Sequence, residues 1–509
     1  MGVLHLPGQL TVASTADLAA TALSRTDLLG AISEEAGRLV RRPLTPAARA
    51  GEDLVATWMT QAGAVVTRDA VGNVFGRRDG ARGWGGDPRG EHGGQAPRSP
   101  VHPEGGRVPV HPEAGRVPVH PEGESVSAGA ESGLRLTGPD AVTVPTGDDY
   151  GPALVIGSHI DTVRDAGKYD GPLGVVLGIA AMAHVAAREA VGHPPLPFAL
   201  EVAAFAGEEG VRFAAPFLGS RVATGTLPLS WLDRTDEGGI ALARAIREAG
   251  GDVQTTTSAH ARYRTGAVIA YLEPHIEQGP ILDLADEALG IVPAIVGQAR
   301  LRLAFTGQAN HAGTTPMAAR RDALAGAAVT IVAAERVARE TPGLVATVGE
   351  ITIAPGAANV VPGAATISID IRHADDDVRR AAVERILDTA REGAAARSLD
   401  LAVTVELEVA ATPCHAGVTA AIAAAASRLG MGRLREVTSG AGHDAMVMAS
   451  VAPVGMLFVR SPRGISHHPA EAVIPGDVEA ALRVLVATID EIAMQVRGGS
   501  FPAPQEMTA

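Results

Sequence analysis

Ala153-Leu-Val-Ile-Gly-Ser-His-Ile-Asp-Thr-Val163 begins with four apolar residues and ends in polar ones. A short unbroken apolar run, as opposed to an alternating one, suits a strand buried on both faces of a parallel sheet. Phe198 to Phe205 repeats the pattern and leads into Ala206-Gly-Glu-Glu-Gly210, with Lys168-Tyr-Asp-Gly171 lying between the two runs. In open α/β sheets, sites form where such strands end. His159, Asp161, Asp170, Glu208 and Glu209 thus fall at one rim of a predicted sheet. A histidine and several carboxylates delivered there from separate strands make a donor set for a divalent metal. The reading is an α/β fold whose large sheet is mixed, mostly parallel and enclosed by helices. The implied chemistry is metal-assisted hydrolysis.

Outward from that rim, the pattern predicts helices over 14–40 and 45–62 and a hairpin over 65–75 turning near Gly72-Asn73. From about 80 to 150 the chain is dense in Gly, Pro, Glu and Arg. It repeats Val101-His-Pro-Glu-Gly-Gly-Arg-Val-Pro109 at 110–118 and begins it again at 119–123. Too few apolar groups occur there to offset the entropy of ordering, so a disordered surface insertion is expected. Its histidines, His102, His111 and His120, read as a solvated low-complexity loop before they read as metal ligands. The folded pattern resumes at Pro152. Helices are expected at 174–189 and 231–249, and a strand over 268–272 ends at Glu273-Pro-His275. From about Gln298 a smaller α/β unit follows, with strands at 301–305, 344–353, 365–371 and 401–409 and helices at 321–340 and 375–393. Past Cys414 the first style returns, with a helix at 418–429, a loop at 439–444, a strand at 454–459 and a final helix at 476–496. The expected division is 1–297, 298–413 and 414–509, the middle unit being inserted into the larger one.

The 509-residue length suits two domains. A net charge of −14 argues against nucleic acid or an anionic membrane as partner. The single cysteine, Cys414, excludes an intrachain disulfide framework and fits a reducing cytoplasm. The N-terminus has no signal-peptide pattern, and no long charge-free span suited to a membrane is expected.

The motifs, taken in order, resemble the metal-dependent amidohydrolases of the M20 peptidase clan. Within it they resemble the branch of N-carbamoyl-L-amino acid hydrolases, allantoate amidohydrolases and β-ureidopropionases. Besides the three segments quoted above, the resemblance rests on Glu-Pro-His-Ile-Glu-Gln-Gly-Pro at 273–280, Asn-His-Ala-Gly-Thr-Thr-Pro at 310–316 and Asn-Val-Val-Pro-Gly at 359–363. It rests further on Ser-Gly-Ala-Gly-His-Asp-Ala at 439–445 and Gly-Ile-Ser-His-His-Pro-Ala-Glu at 464–471. It covers nearly the whole chain outside the insertion.

The resemblance implies a large catalytic domain, an inserted dimerisation or lid domain, and a homodimer whose subunits share site residues. It implies two divalent metal ions, zinc or manganese first and cobalt or nickel as alternatives. His159 and His275 become ligands of the first ion, Glu209 and His467 of the second, and Asp170 bridges ions about 3.5–4 Å apart. His468 competes with His467. Glu208, His311 and Asp161 form the implied catalytic set. Glu208 takes a proton from the attacking water and passes it to the leaving nitrogen. His311 polarises the scissile carbonyl, and Asp161 holds the second ring nitrogen of His159. Gln278, Asn359, Arg372, Gly442 and His443 become substrate contacts, with Arg372 gripping a carboxylate. The implied reaction is hydrolysis of the ureido carbon–nitrogen bond of a small carboxylate-bearing molecule. An aminopeptidase or dipeptidase of the same clan is the alternative, and a silent binding protein on this fold is the reading from another class.

Overall fold

The structure, a computed structural model, describes residues 13–81 and 152–501. The repeat region and its histidines lie outside the described residues.

An eight-stranded sheet positions the site. Its strands are β1 (Val65–Arg68), β2 (Val74–Arg78), β3 (Ala153–His159), β4 (Ala199–Phe205), β5 (Val268–Ile276) and β6 (Leu289–Val292). Two more follow the small sheet described below. That second sheet contains β7 (Gly297–Thr306), β8 (Val345–Ala354), β9 (Ala364–His373) and β10 (Asp400–Val409). The large sheet is completed by β11 (Arg435–Glu436) and β12 (Val454–Val459). The spatial orders are β1-β2-β4-β3-β5-β12-β6-β11 and β8-β9-β7-β10. Pairing is parallel through the centre, β4-β3-β5-β12, and antiparallel at β1-β2, β2-β4 and β12-β6. The large sheet is therefore mixed with a parallel middle, as expected. Every residue of β3, β4, β5 and β12 is buried, which explains their continuous apolar character.

Helices α1 (Thr15–Gly30), α2 (Pro46–Gln61) and α3 (Pro172–Ala190) pack on this sheet or on one another. The side chain of Ser14 caps α1 by accepting the Asp17 N–H. Helix α1 stops at Gly30 and does not run to Val40. The Arg41 guanidinium takes the carbonyls of Leu29 and Ile32 there, satisfying groups that leave a helix end unpaired. Helix α3 is long and apolar enough to cross a membrane by length and composition. It is instead a core helix, with Leu173, Val175, Val176, Leu177 and Ile179 fully buried. Gly174 lets it approach β5, since a Cβ there would lie 2.1 Å from the Pro274 carbonyl oxygen. The single helix expected over 231–249 is broken. A 3₁₀ turn covers Leu229–Asp233, and a short helix covers Leu242–Glu248. Between them the Asp236 carboxylate accepts the Gly238 and Ile240 N–H groups, a local competitor to helical pairing.

In the second sheet, β7 alternates buried and more exposed positions. Helices α4 (Ala323–Glu340) and α5 (Asp376–Ala395) cover one face, burying Leu301, Leu303, Phe305, Ile367, Ile369 and Ile371. On that same face the edge strands leave Ile351, opposite Ile367, and Val405, opposite Leu301, exposed. Helices α6 (Ala416–Arg428) and α7 (Pro475–Arg497) return to the large sheet.

Candidate metal centre

The rim of the large sheet brings together the groups expected there. His159 ends β3, and His275 lies one residue inside the end of β5. Asp170 comes from the turn before α3, and Glu208 and Glu209 follow β4. His467 arrives from the segment between β12 and α7 with φ of +55°. Two ligand-competent triads share Asp170: His159–Asp170–His275 and Asp170–Glu209–His467. A third, His159–Glu208–Glu209, overlaps them. His275 Nε2 lies 3.3 Å from Asp170 Oδ1, and His467 Nε2 lies 3.1 Å from Asp170 Oδ2 and 3.6 Å from Glu209 Oε1. His468 does not join the cluster; its Nδ1 accepts the Ala470 N–H.

Two histidines are oriented from behind. His159 Nδ1 is 3.1 Å from the Asp161 carbonyl oxygen, and His275 Nδ1 is 2.9 Å from the Ile276 carbonyl oxygen. A ring N–H committed to a carbonyl leaves Nε2 with a lone pair for a metal. The Asp161 carboxylate is 3.6 Å from His159 Nδ1, farther than its own carbonyl. It has a second task that the sequence did not announce. It accepts the backbone N–H groups of Gly207, Glu208 and Glu209 at 2.8, 3.0 and 3.2 Å, so it fixes the loop carrying the glutamate pair. Gly171 has φ of +82°, and a Cβ there would meet the His159 ring at 2.4 Å, so only glycine fits at that turn.

The electrostatics fit a cation site. Burial lifts Glu208 well above the ordinary carboxylate range and lifts Glu209, with Asp170 beside it, to about 7. Burial disfavours a charged His159, but the surrounding carboxylates outweigh it and hold that ring well above its usual value. His467 is raised to about 9, chiefly by its hydrogen bond to Asp170. Burial opposes ionisation of Asp170 too, yet the three histidines around it hold it low. Burial thus biases Glu208 toward its protonated form unless further positive charge shares the cleft. His275 is the exception: burial lowers it, and its buried Nε2 makes no hydrogen bond. An orphaned imidazole nitrogen beside a carboxylate is what a metal would satisfy.

Gln278, in the left-handed region at φ of +57°, donates from Nε2 to Asp170 Oδ2 at 2.8 Å. Its Oε1 is buried without a partner. Gly442 and His443 lie in a packed loop behind His275. The His443 ring centroid is 4.5 Å from that of His275, its Nε2 is 2.7 Å from Ser439 Oγ, and it is 1% exposed. A Cβ on Gly442 would meet the Phe217 ring at 2.8 Å. The burial of His443 favours shaping the loop, whereas Gly442 is exposed.

Arg372 is held by Asp370 at 2.7 Å and donates to the Gly440 carbonyl at 2.8 Å. The link joins the small sheet to the loop that carries His443. His311 and Asn359 are neighbours: Val360 pairs with His311, and the Ala312 N–H donates to the Asn359 carbonyl. Both are exposed. Among the described residues, no hydrogen bond or ion pair joins either to the metal cluster. His311 Nδ1 accepts the Gly313 and Thr314 N–H groups, both at 3.1 Å, so its Nε2 carries the hydrogen and is a donor.

Sequence reading gave no role to Glu273, Ser466 or Glu471. Glu273 lies within buried β5, accepts the Ala445 N–H at 2.8 Å, and is pushed up to about 8 by burial and by Asp444. Asp444 is fully buried against Ser220. The signal for Glu273 was a charge inside an apolar run.

The chain is similar to several known proteins. The sequence profile of the peptidase family M20/M25/M40 matches residues 155–491. An N-carbamoyl-L-amino acid amidohydrolase of Geobacillus stearothermophilus is 34% identical, the match covering 91% of this chain and 96% of that one. A probable allantoate deiminase of Oryza sativa subsp. japonica is 39% identical, over 67% of this chain and 75% of its own length. The crystal structure of a hydantoinase/carbamoylase family amidase from Burkholderia multivorans superposes with a TM-score of 0.72 at 29% identity, covering 93% of this chain and 97% of that one.

Proposed function

The chain belongs to the peptidase family M20/M25/M40, and on that footing we propose that it hydrolyses the ureido carbon–nitrogen bond of a small carboxylate-bearing substrate, such as allantoate or an N-carbamoyl-L-amino acid. The observation that carries this is the pair of ligand triads sharing Asp170. Relatives at 34% and 39% identity whose names specify ureido substrates support it.

His159, His275 and Asp170 would hold one divalent ion, and Asp170, Glu209 and His467 a second. Zinc or manganese is the first choice, and cobalt or nickel also suits these donors. Such ions supply Lewis acidity to the ureido carbonyl and lower the proton affinity of water. Glu208 accepts a proton from the attacking water and delivers it to the leaving nitrogen. Asp161 keeps Glu208 in place through its backbone. The orphaned Gln278 Oε1 accepts a ureido N–H, since its Nε2 is committed to Asp170. Arg372 exchanges the Gly440 carbonyl for the substrate carboxylate, a stronger charge-assisted partner, and Asn359 supports it. His311 donates from Nε2 to the oxygen on which charge develops. His311 lies apart from the cluster within one chain, which favours a homodimer in which it serves the neighbouring subunit. Water adds to the ureido carbon, ammonia leaves, and the carbamate loses carbon dioxide to give the amine. We place the reaction in the cytoplasm, on the strength of the single cysteine.

Ammonia release by the metal-reconstituted protein tests the proposal, with allantoate, N-carbamoyl-L-amino acids, N-carbamoyl-β-alanine and a dipeptide as substrates. Turnover of a ureido compound is expected. Cleavage of the dipeptide alone would move the chain to the aminopeptidase side of the family.

A further inference from the structure

Two residues of the 464–471 motif have no part in the reaction described above: Ser466 and Glu471. Glu471 is a carboxylate only 6% exposed, and its hydrogen bonds reach across the chain. Oε1 accepts the backbone N–H groups of Tyr169 and Asp170 at 2.9 and 3.1 Å. Oε2 lies 3.0 Å from Ser466 Oγ, which also lies 2.9 Å from Asp170 Oδ2. The Glu471 N–H closes its own turn on the His468 carbonyl. The fit is tight on the other side too, since a Cβ on Gly167 would come within 2.2 Å of Glu471 Oε1.

The two halves of the metal centre are supported differently. His159 and His275 stand on β3 and β5, where sheet pairing fixes the backbone. Asp170 and His467 stand on connecting segments outside the sheet, and the His467 side chain is 49% exposed. We propose that Glu471 is the positioning residue that clips these two segments together. It thereby governs occupancy of the outer metal position, Asp170–Glu209–His467, more than that of the inner one, two of whose three ligands stand on the sheet. The inference rests on the reading of those residues as ligands.

The proton count sharpens it. The Ser466 hydroxyl has one hydrogen and faces two carboxylates, so it can donate to only one at a time. Glutamine at 471 keeps an oxygen for the Tyr169 and Asp170 N–H groups and offers an N–H to Ser466 Oγ. The hydroxyl hydrogen is then free for Asp170. Glutamine should therefore preserve the clip, and alanine should release it.

The test is titration of the metal-free full-length protein with Mn²⁺, followed by calorimetry and by metal content after gel filtration. Wild type should take up two ions per chain. Glu471→Ala should keep the first and bind the second about 10- to 100-fold more weakly, the usual cost of losing an outer partner. Glu471→Gln should bind both nearly as wild type does. Should Glu471→Ala fail to fold, Ser466→Ala removes only the side-chain link and should weaken the same ion. Wild-type affinity for both ions in Glu471→Ala, or in Ser466→Ala where that variant must stand in, overturns the inference. Equal weakening of both ions overturns it as well. Wild-type uptake of fewer than two ions overturns the ligand reading itself and this inference with it.

Discussion

The rim of the large sheet and the smaller unit around the second sheet hold their candidate residues in opposite ways. At the rim, His159, Asp161, Asp170, Glu208 and His275 are all buried and lie within reach of one another. In the small unit, His311 and Asn359 are exposed, and Arg372 is a third exposed with its charge already balanced by Asp370. Buried groups of mixed charge in low dielectric interact strongly and cannot reorganise cheaply. Exposed groups with local partners can exchange those partners for a ligand at small cost. The first region holds its charges in place, and the second leaves its groups able to change partners.

The comparison can be broken at its strongest point first. Glu208→Gln should lower kcat by about 10²- to 10⁴-fold while metal content stays at the wild-type level. Loss of the metals in that variant would make Glu208 a ligand, a role its place in the His159–Glu208–Glu209 triad also permits.

His311→Ala should lower kcat by about 10²- to 10³-fold, the scale for an oxyanion donor. Mixing it with Glu208→Gln under conditions that exchange subunits should restore part of the activity. No recovery would return His311 to its own chain's site and require the small sheet to move toward the rim.

A smaller effect is expected at Arg372. Its replacement by alanine should raise KM by about 10- to 100-fold, from roughly 1.5–3 kcal/mol for a charge-assisted contact, with kcat nearly unchanged. An unaltered KM would leave Arg372 as a tie between Asp370 and the Gly440 loop.

The smallest effect belongs to a carboxylate in neither region. Glu52 is buried on α2, 3.4 Å from Arg68 and 3.7 Å from Arg49, and burial outweighs both arginines in lifting it to about 7. A group whose folded pKa is raised favours folding below its unfolded value, near 4.5, and that contribution is lost as pH rises through about 7. Glu52→Gln should therefore raise Tm at pH 8 more than at pH 5. The reverse ordering in thermal melts would mean that the arginines, and not burial, dominate there.

Much of this was legible along the chain because local physics set it. The apolar runs at 153–156 and 198–205 became fully buried β3 and β4, and the strands and helices of the small unit lie within a few residues of their expected ends. The misses also have local causes. The Arg41 guanidinium ended α1 early, and the Asp236 turn broke the helix expected over 231–249. Neither leaves a periodic trace, because each depends on a single side chain meeting a particular backbone group.

By itself, the sequence determined which donors exist and that several of them, His159, Glu208, Glu209 and His275, stand at strand ends, since hydrophobic patterning and residue chemistry are properties of short segments. Tertiary structure alone decided what those donors face. It gave Asp161 the N–H groups of Gly207, Glu208 and Glu209, gave Glu471 those of Tyr169 and Asp170, and left His275 Nε2 without a hydrogen bond. A hydrogen bond needs its partners within about 3 Å and well aligned. Segments tens to hundreds of residues apart reach that geometry only once the whole sheet has assembled.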